Sequence, residues 1–157
     1  MKKVILVTLS CLMSFTAYAN VEMYEYLGLK TVKGNPCYLT NGQFTESSIN
    51  FMVSAYGDFK EKSHIILTVI EVALDAGCDI DLPNEVGLSP LNNAILFNEP
   101  KLVSFLLNQG ANPRKRIKSD KQLLNGLDSY HFLELIESKD PKRYEIISIL
   151  ENHKQRA

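Results

Sequence analysis

From about residue 46 onward, apolar side chains recur at helical spacing and are separated by short polar breaks. Six segments carry the pattern: 47–56, 64–76, 89–97, 100–109, 130–138 and 141–152. In the second, Ile65, Ile66, Val69, Val72, Ala73 and Leu74 crowd onto one face. Short links join the segments in pairs, which predicts three antiparallel helical hairpins. Residues 20–44 lack the period and are expected to form an irregular or partly helical N-terminal cap. Tyr24, Tyr26, Leu27 and Leu29 would pack that cap on the first hairpin.

The second helices of the first two hairpins end alike. Val72-Ala73-Leu74-Asp75-Ala76-Gly77-Cys78-Asp79 matches Phe105-Leu106-Leu107-Asn108-Gln109-Gly110-Ala111-Asn112 at a spacing of 33 residues. One helix closed by glycine is ordinary; two at this spacing with matched apolar positions suggest a repeat. Gly87-Leu88-Ser89-Pro90-Leu91-Asn92-Asn93-Ala94 then resembles the ankyrin signature G-x-T-P-L-H-x-A, and Leu102-Val103 with Leu106 to Asn112 resembles its second half. Ser89 can cap the first helix, Pro90 suits its first turn, and small Ala94 lets the two helices approach. Leu91, Val103, Leu106 and Leu107 would fill the seam between hairpins. Asn92 stands where the family usually has His, which predicts weaker hydrogen bonding between repeats.

The resemblance covers one full repeat, a preceding one with a longer link after Ala55, and a degenerate one from Leu127 onward. It implies an all-α, ankyrin-repeat-like solenoid of about three hairpins over residues 45–153. Degenerate terminal units are what capping requires, since their outer faces meet water.

The first nineteen residues read differently. Lys2 and Lys3 precede an uncharged, mostly apolar run from Val4 to Phe15, and Ala17-Tyr18-Ala19 supplies a cleavage site. This is the anatomy of a secretory signal peptide, 1–19, with a bacterial look. The run is too short to span a bilayer. Thr8-Leu9-Ser10-Cys11 is a poor lipobox, lacking Leu at its start. The expected address is the periplasm, with no membrane insertion after cleavage. Removing Lys2 and Lys3 leaves fifteen Lys and Arg against eighteen Asp and Glu. That balance disfavours a general nucleic-acid binder. Cys37 and Cys78 remain after cleavage, and in an oxidising compartment they either pair or stay as two buried thiols. A bond between them would close a loop of about forty residues, about 4 kcal/mol in the chain-entropy model.

Catalytic and metal chemistry finds little support in the sequence. His64, His131 and His153 have no metal-ligand spacing, and neither a phosphate loop nor a G-x-S-x-G elbow is present. Asp79 and Asp81 fall where an ankyrin turn carries an acidic residue. No catalytic residue, metal or cofactor is expected.

Surface is what remains. The ankyrin resemblance implies partner contacts from turn tips and the exposed side of the first helix, here Glu85, Val86, Leu88, Leu96 and Phe97. Four of these five are apolar, which marks either an interface or a patch covered by the cap or by the long link after Ala55. Arg114, Lys115, Arg116, Lys118 and Lys121 concentrate positive charge after that repeat, as a solvated loop or as a means of steering an acidic partner. The expected function is a periplasmic module that occupies another protein's surface. A narrower form is an immunity or inhibitor protein against an envelope-acting toxin or hydrolase. The alternatives are a small ligand-binding protein or enzyme with Tyr24, Tyr26, Tyr38 and His64 lining a site between cap and stack, and a scaffold in an envelope stress response.

Overall fold

The computed structural model describes residues 24–136 and 139–156. The signal segment 1–19, with Cys11, lies outside the described residues, as do positions 137 and 138 of the expected fifth helix.

Six α-helices form close to where the apolar period places them. They are α1 (Ser48–Ala55), α2 (Ser63–Asp75), α3 (Pro90–Leu96), α4 (Pro100–Asn108), α5 (Ser129–Leu135) and α6 (Pro141–Arg156), with a single 3-10 turn at Lys60–Lys62 before α2. The first helix of each hairpin starts from a side-chain cap. Ser47 accepts from the Asn50 amide, Ser89 from that of Asn92 and Asp128 from that of His131. Such caps supply acceptors to amides that have no partner within the helix.

The 33-residue repeat is visible as backbone geometry. Gly77 and Gly110 take φ of 85° and 93°. In each turn the next amide reaches back across the helix end, Cys78 to Ala73 O and Ala111 to Leu106 O, both at 3.0 Å. This is the Schellman closure, which needs a left-handed residue that glycine adopts without strain. The bends that follow also match: Asp79 Oδ1 accepts from the Asp81 amide and Asn112 Oδ1 from that of Arg114, both at 2.9 Å.

The hairpins stack, α1, α3 and α5 in one layer and α4 and α6 in the other. Leu91, Ala94, Val103 and Leu106 are fully buried in the seam, joined by Leu107. Burying each leucine stabilises the fold by about 1.5–3 kcal/mol. Polar side chains set the register between first helices. Asn93 Nδ2 donates to Asn50 Oδ1 at 2.9 Å, and Asn50 Nδ2 donates to Leu82 O at 2.8 Å. The Ser129 hydroxyl donates to Asn92 Oδ1 at 2.7 Å, so Asn92 does carry a bond between hairpins. Arg143 ties the layers: its Nη1 donates to Ile95 O at 2.7 Å, near the C-terminus of α3, where a cation is favoured. Burial pushes the Arg143 pKa down, and Asp140 opposes that shift.

The all-α expectation is wrong. Ahead of α1 lies a three-stranded antiparallel sheet, β1 (Lys30–Val32), β2 (Asn35–Thr40) and β3 (Thr45–Ser47), in the order β1-β2-β3. The chain is therefore mixed α/β, and its N-terminal cap is largely sheet. Local chemistry explains why. Lys33 and Gly34 both take positive φ, which closes a two-residue hairpin of type I′ with Val32 opposite Asn35. The β2–β3 turn holds Gly42 at φ 91°, while Asn41 Oδ1 accepts from the amides of Gln43 and Phe44. Gly34, Pro36 and Gly42 exclude a helix, and Leu39 is buried beside exposed Tyr38, as strand alternation requires.

The sheet stands where a preceding hairpin would be. Ser48, the first residue of α1, hydrogen-bonds back to Pro36 O on β2, as Ser129, the first residue of α5, does to Asn92. Cys37 on β2 is disulfide-bonded to Cys78, just past the glycine that closes α2, so the sheet is fastened to the first inter-hairpin turn. Of the two arrangements open to the sequence, the structure has the bonded pair. The bond is compatible with an oxidising compartment.

Candidate binding site on two edges of the stack

Because α1, α3 and α5 are held together through their first turns, their N-termini share one edge and their C-termini the opposite edge. The residues singled out from the sequence divide between these edges and do not form one patch. Glu85 and Val86 belong to the turn edge, where Val86 is 38% exposed. Leu96 and Phe97, 42% and 47% exposed, belong to the link edge at the far end of α3. Leu88 is a correction. It is only 4% exposed and lies in the core, because its amide is held by Asn84 Oδ1 at 2.9 Å in the turn leading into α3.

On the turn edge, much of the basic cluster is engaged. Arg114 lies over the Tyr130 ring, 5.7 Å from its centre. Lys115 Nζ donates to Asp81 O at 2.8 Å and approaches the Asp79 carboxylate at 3.8 Å. Arg116 Nη1 donates to Gly126 O at 2.8 Å. Lys118 and Lys121 are exposed. Asp81 also receives the Asn112 amide at 3.0 Å, so it couples successive turns. Burial raises the Asp81 pKa, and the Asn112 amide and Lys115 oppose that shift. Between these turns runs a groove of about 510 Å³ over Leu82, Pro83 and Ile117. Gly87 presses against its rim: a Cβ there would lie 2.1 Å from Lys118 O.

The link edge is more apolar than the sequence suggested. Leu96 and Leu135 are the last residues of α3 and α5, and both are exposed. Phe97 and, in the α1–α2 link, Phe59 are exposed as well. Tyr26 lies beneath Lys62, 4.9 Å from Nζ to the ring centre. An ion pair of 3.7 Å between Glu99 and Lys142 ties the second link to the start of α6. Phe59 and Leu135 were missed because pattern reading weighed only the best repeat. Alignment of α3 and α5 by their caps, Ser89 and Asp128, sets Leu135 at the position of Leu96; in α1 that position is Ser54, and Phe59 lies beyond the helix in the link.

A second omission is Leu123, in the segment between Pro113 and Asp128 whose basic residues the sequence had singled out. The connection from α4 to α5 has twenty residues (109–128) against fourteen (76–89) from α2 to α3, and it projects Leu123, 77% exposed. Long loops in compact domains tend to be functional; its length was the available signal.

The four residues of the ligand-site alternative have different environments. Tyr24 is buried, its hydroxyl without a partner among the described residues and its pKa raised by burial. Tyr26, Tyr38 and His64 are exposed. Among the described residues, no group of His, Cys, Asp and Glu could hold a metal ion, and no helix is long and apolar enough to cross a membrane.

Neither a protein-family model nor a curated protein matches this chain. The likeness to ankyrin repeats therefore rests on the residues quoted for it.

Proposed function

We propose that this protein is an exported binding module that acts by occupying the surface of another protein. The observation that carries the reading is the link edge. There Leu96 and Leu135, at equivalent positions past the caps of α3 and α5, present large apolar side chains to solvent, joined by Phe97 and by Phe59 in the α1–α2 link. Scattered exposed leucines are ordinary, but aromatic and leucine side chains gathered on one edge are the usual core of an interface. The disulfide supports an oxidising address for this activity, in keeping with the signal-like N-terminus.

The test is chemical cross-linking of the mature chain in envelope extract, comparing wild type with the double variant Leu96→Asp, Phe97→Asp and with the control Glu71→Lys on α2. A stoichiometric partner should be retained by wild type and control and lost by the double variant. Equal retention by all three would remove the link edge as a binding surface. Unchanged circular dichroism would show that the double variant still folds.

A further inference from the structure

The loop between Pro113 and Asp128 is not slack. Its base is laced as a narrow ribbon: the Ile117 amide donates to Leu127 O and that of Gly126 to Ile117 O, both at 2.8 Å. Arg116 Nη1 donates to the same Gly126 carbonyl. Higher up, the Ser119 amide donates to Asn125 Oδ1 at 3.2 Å, and those of Leu124 and Asn125 both reach Lys121 O. Ile117 is buried, and Leu124 and Leu127 pack on the core. Gly87, with φ 88° and no Cβ, lets the preceding turn close against Lys118 O from behind.

Leu123 takes no part in this anchoring. It is the most exposed large apolar residue among those described. Its neighbours Leu124 and Leu127 turn inward while it projects, and Lys118, Asp120 and Lys121 stand exposed in the same loop, two positive charges to one negative.

We infer that this braced loop inserts Leu123 into an apolar pocket ringed by carboxylates on a partner protein. The inference rests on the binding-module reading and names the partner's chemistry. Two features select the occupant. A leucine held at the tip of a hydrogen-bonded loop loses little conformational freedom on docking, and such preorganisation matters for a shaped pocket. The net positive charge of the loop, five Lys and Arg against Asp120 and Asp128 on a chain that is acidic overall, complements an acidic rim and speeds encounter. A bilayer surface would also accept leucine and lysine, but it does not require the loop to be rigid.

A benzophenone amino acid placed at position 123 of the full chain, expressed in the cells that make it, tests the assignment. The control carries the same probe at Glu71. Irradiation should link position 123, and not position 71, to one protein, at a site flanked by Asp or Glu in the mapped peptide. The double variant Lys118→Glu, Lys121→Glu should cut the yield at least tenfold while keeping wild-type circular dichroism. Absence of a product above control, or a product indifferent to the charge reversal, overturns the inference. So does flotation of the wild-type chain, lost in Leu123→Asp, with vesicles of phosphatidylcholine and phosphatidylglycerol at about 2 to 1. A partner lost by the link-edge variant but retained by Leu123→Asp would leave the binding module standing and remove the loop from it.

Discussion

Asp81 and Asp128 occupy comparable turns, one after the first hairpin and one before the third, yet their surroundings push them in opposite directions. For Asp128, burial favours the neutral form. The His131 amide, the His131 ring at 2.6 Å and the Tyr130 amide outweigh it and hold the carboxyl below its ordinary value. In acid the unfolded chain then binds the proton more readily than the folded one. The resulting stability is present above the ordinary carboxylate range and is lost as pH falls through the folded pKa. Asn still caps a helix, so Asp128→Asn isolates the charge. It should be less stable than wild type near neutrality, with the gap closing as pH falls below the ordinary carboxylate range. For Asp81 burial dominates and the pKa rises. Its contribution is fully present below the ordinary value and is lost as pH rises through the folded one. Asp81→Asn keeps an acceptor for the Asn112 amide. It should therefore equal or exceed wild type near pH 7 and lose that advantage in acid. Urea titrations across pH decide both; parallel curves for the two variants would contradict the opposed shifts. Asn50 makes a third case. Asn50→Ala strands Asn93 Nδ2 in the interior and leaves the part-buried Leu82 O without this donor, and should cost about 2 kcal/mol, seen as a lower urea midpoint at unchanged slope.

At the scale of elements, glycine shows how one residue type serves two ends. Gly110 has open space around the position of a Cβ, so Gly110→Ala meets only the penalty of a left-handed backbone, about 1–2 kcal/mol. Gly87 adds a backbone collision with Lys118 O. Gly87→Ala should destabilise more than Gly110→Ala and also speed amide exchange at Ile117 and Gly126, whose ribbon it would displace. Equal effects would mean that the turn and the loop are not in contact. The disulfide ties elements in the same sense. Removing it by Cys37→Ser should lower stability by about 2–4 kcal/mol, with the sheet losing protection before the helices. These elements were unequally legible. The helices could be read because period, caps and terminal glycines agree, as at Ser89-Pro90 and Gly110. The sheet could not be read from apolar period, since its strands are three to six residues long and mostly half-exposed. Its information lies in turns, Lys33-Gly34 and Asn41-Gly42, that matter only when read as hairpin closures. Leu88 was misplaced for a related reason. A turn-tip position in a repeat pattern does not reveal that Asn84 folds the turn and draws Leu88 inward.

For the whole molecule, stacking converts a one-dimensional pattern into two edges of different character. Hairpins that contact only their neighbours put equivalent positions in rows. Exposed residues at the C-termini of α3 and α5, with Phe59 of the first link, thus become an apolar edge, and the inter-hairpin turns with the long loop become a charged one. The two edges should be separable by salt. Raising ionic strength from about 0.1 M to about 1 M shortens the screening length from about 10 Å to about 3 Å, which weakens exposed charge contacts and leaves apolar burial largely intact. Against a partner caught by cross-linking, Lys118→Glu with Lys121→Glu should slow association at low salt, and the effect should shrink toward nothing at high salt. Leu96→Asp with Phe97→Asp should instead speed dissociation at both salt concentrations, because it removes buried area and introduces charge into a dry contact. Stopped-flow or surface-immobilised kinetics at the two salt levels would separate the two behaviours. If both double variants followed the same salt dependence, the edges would be acting as one continuous surface, and the division of labour drawn from the stack would fail.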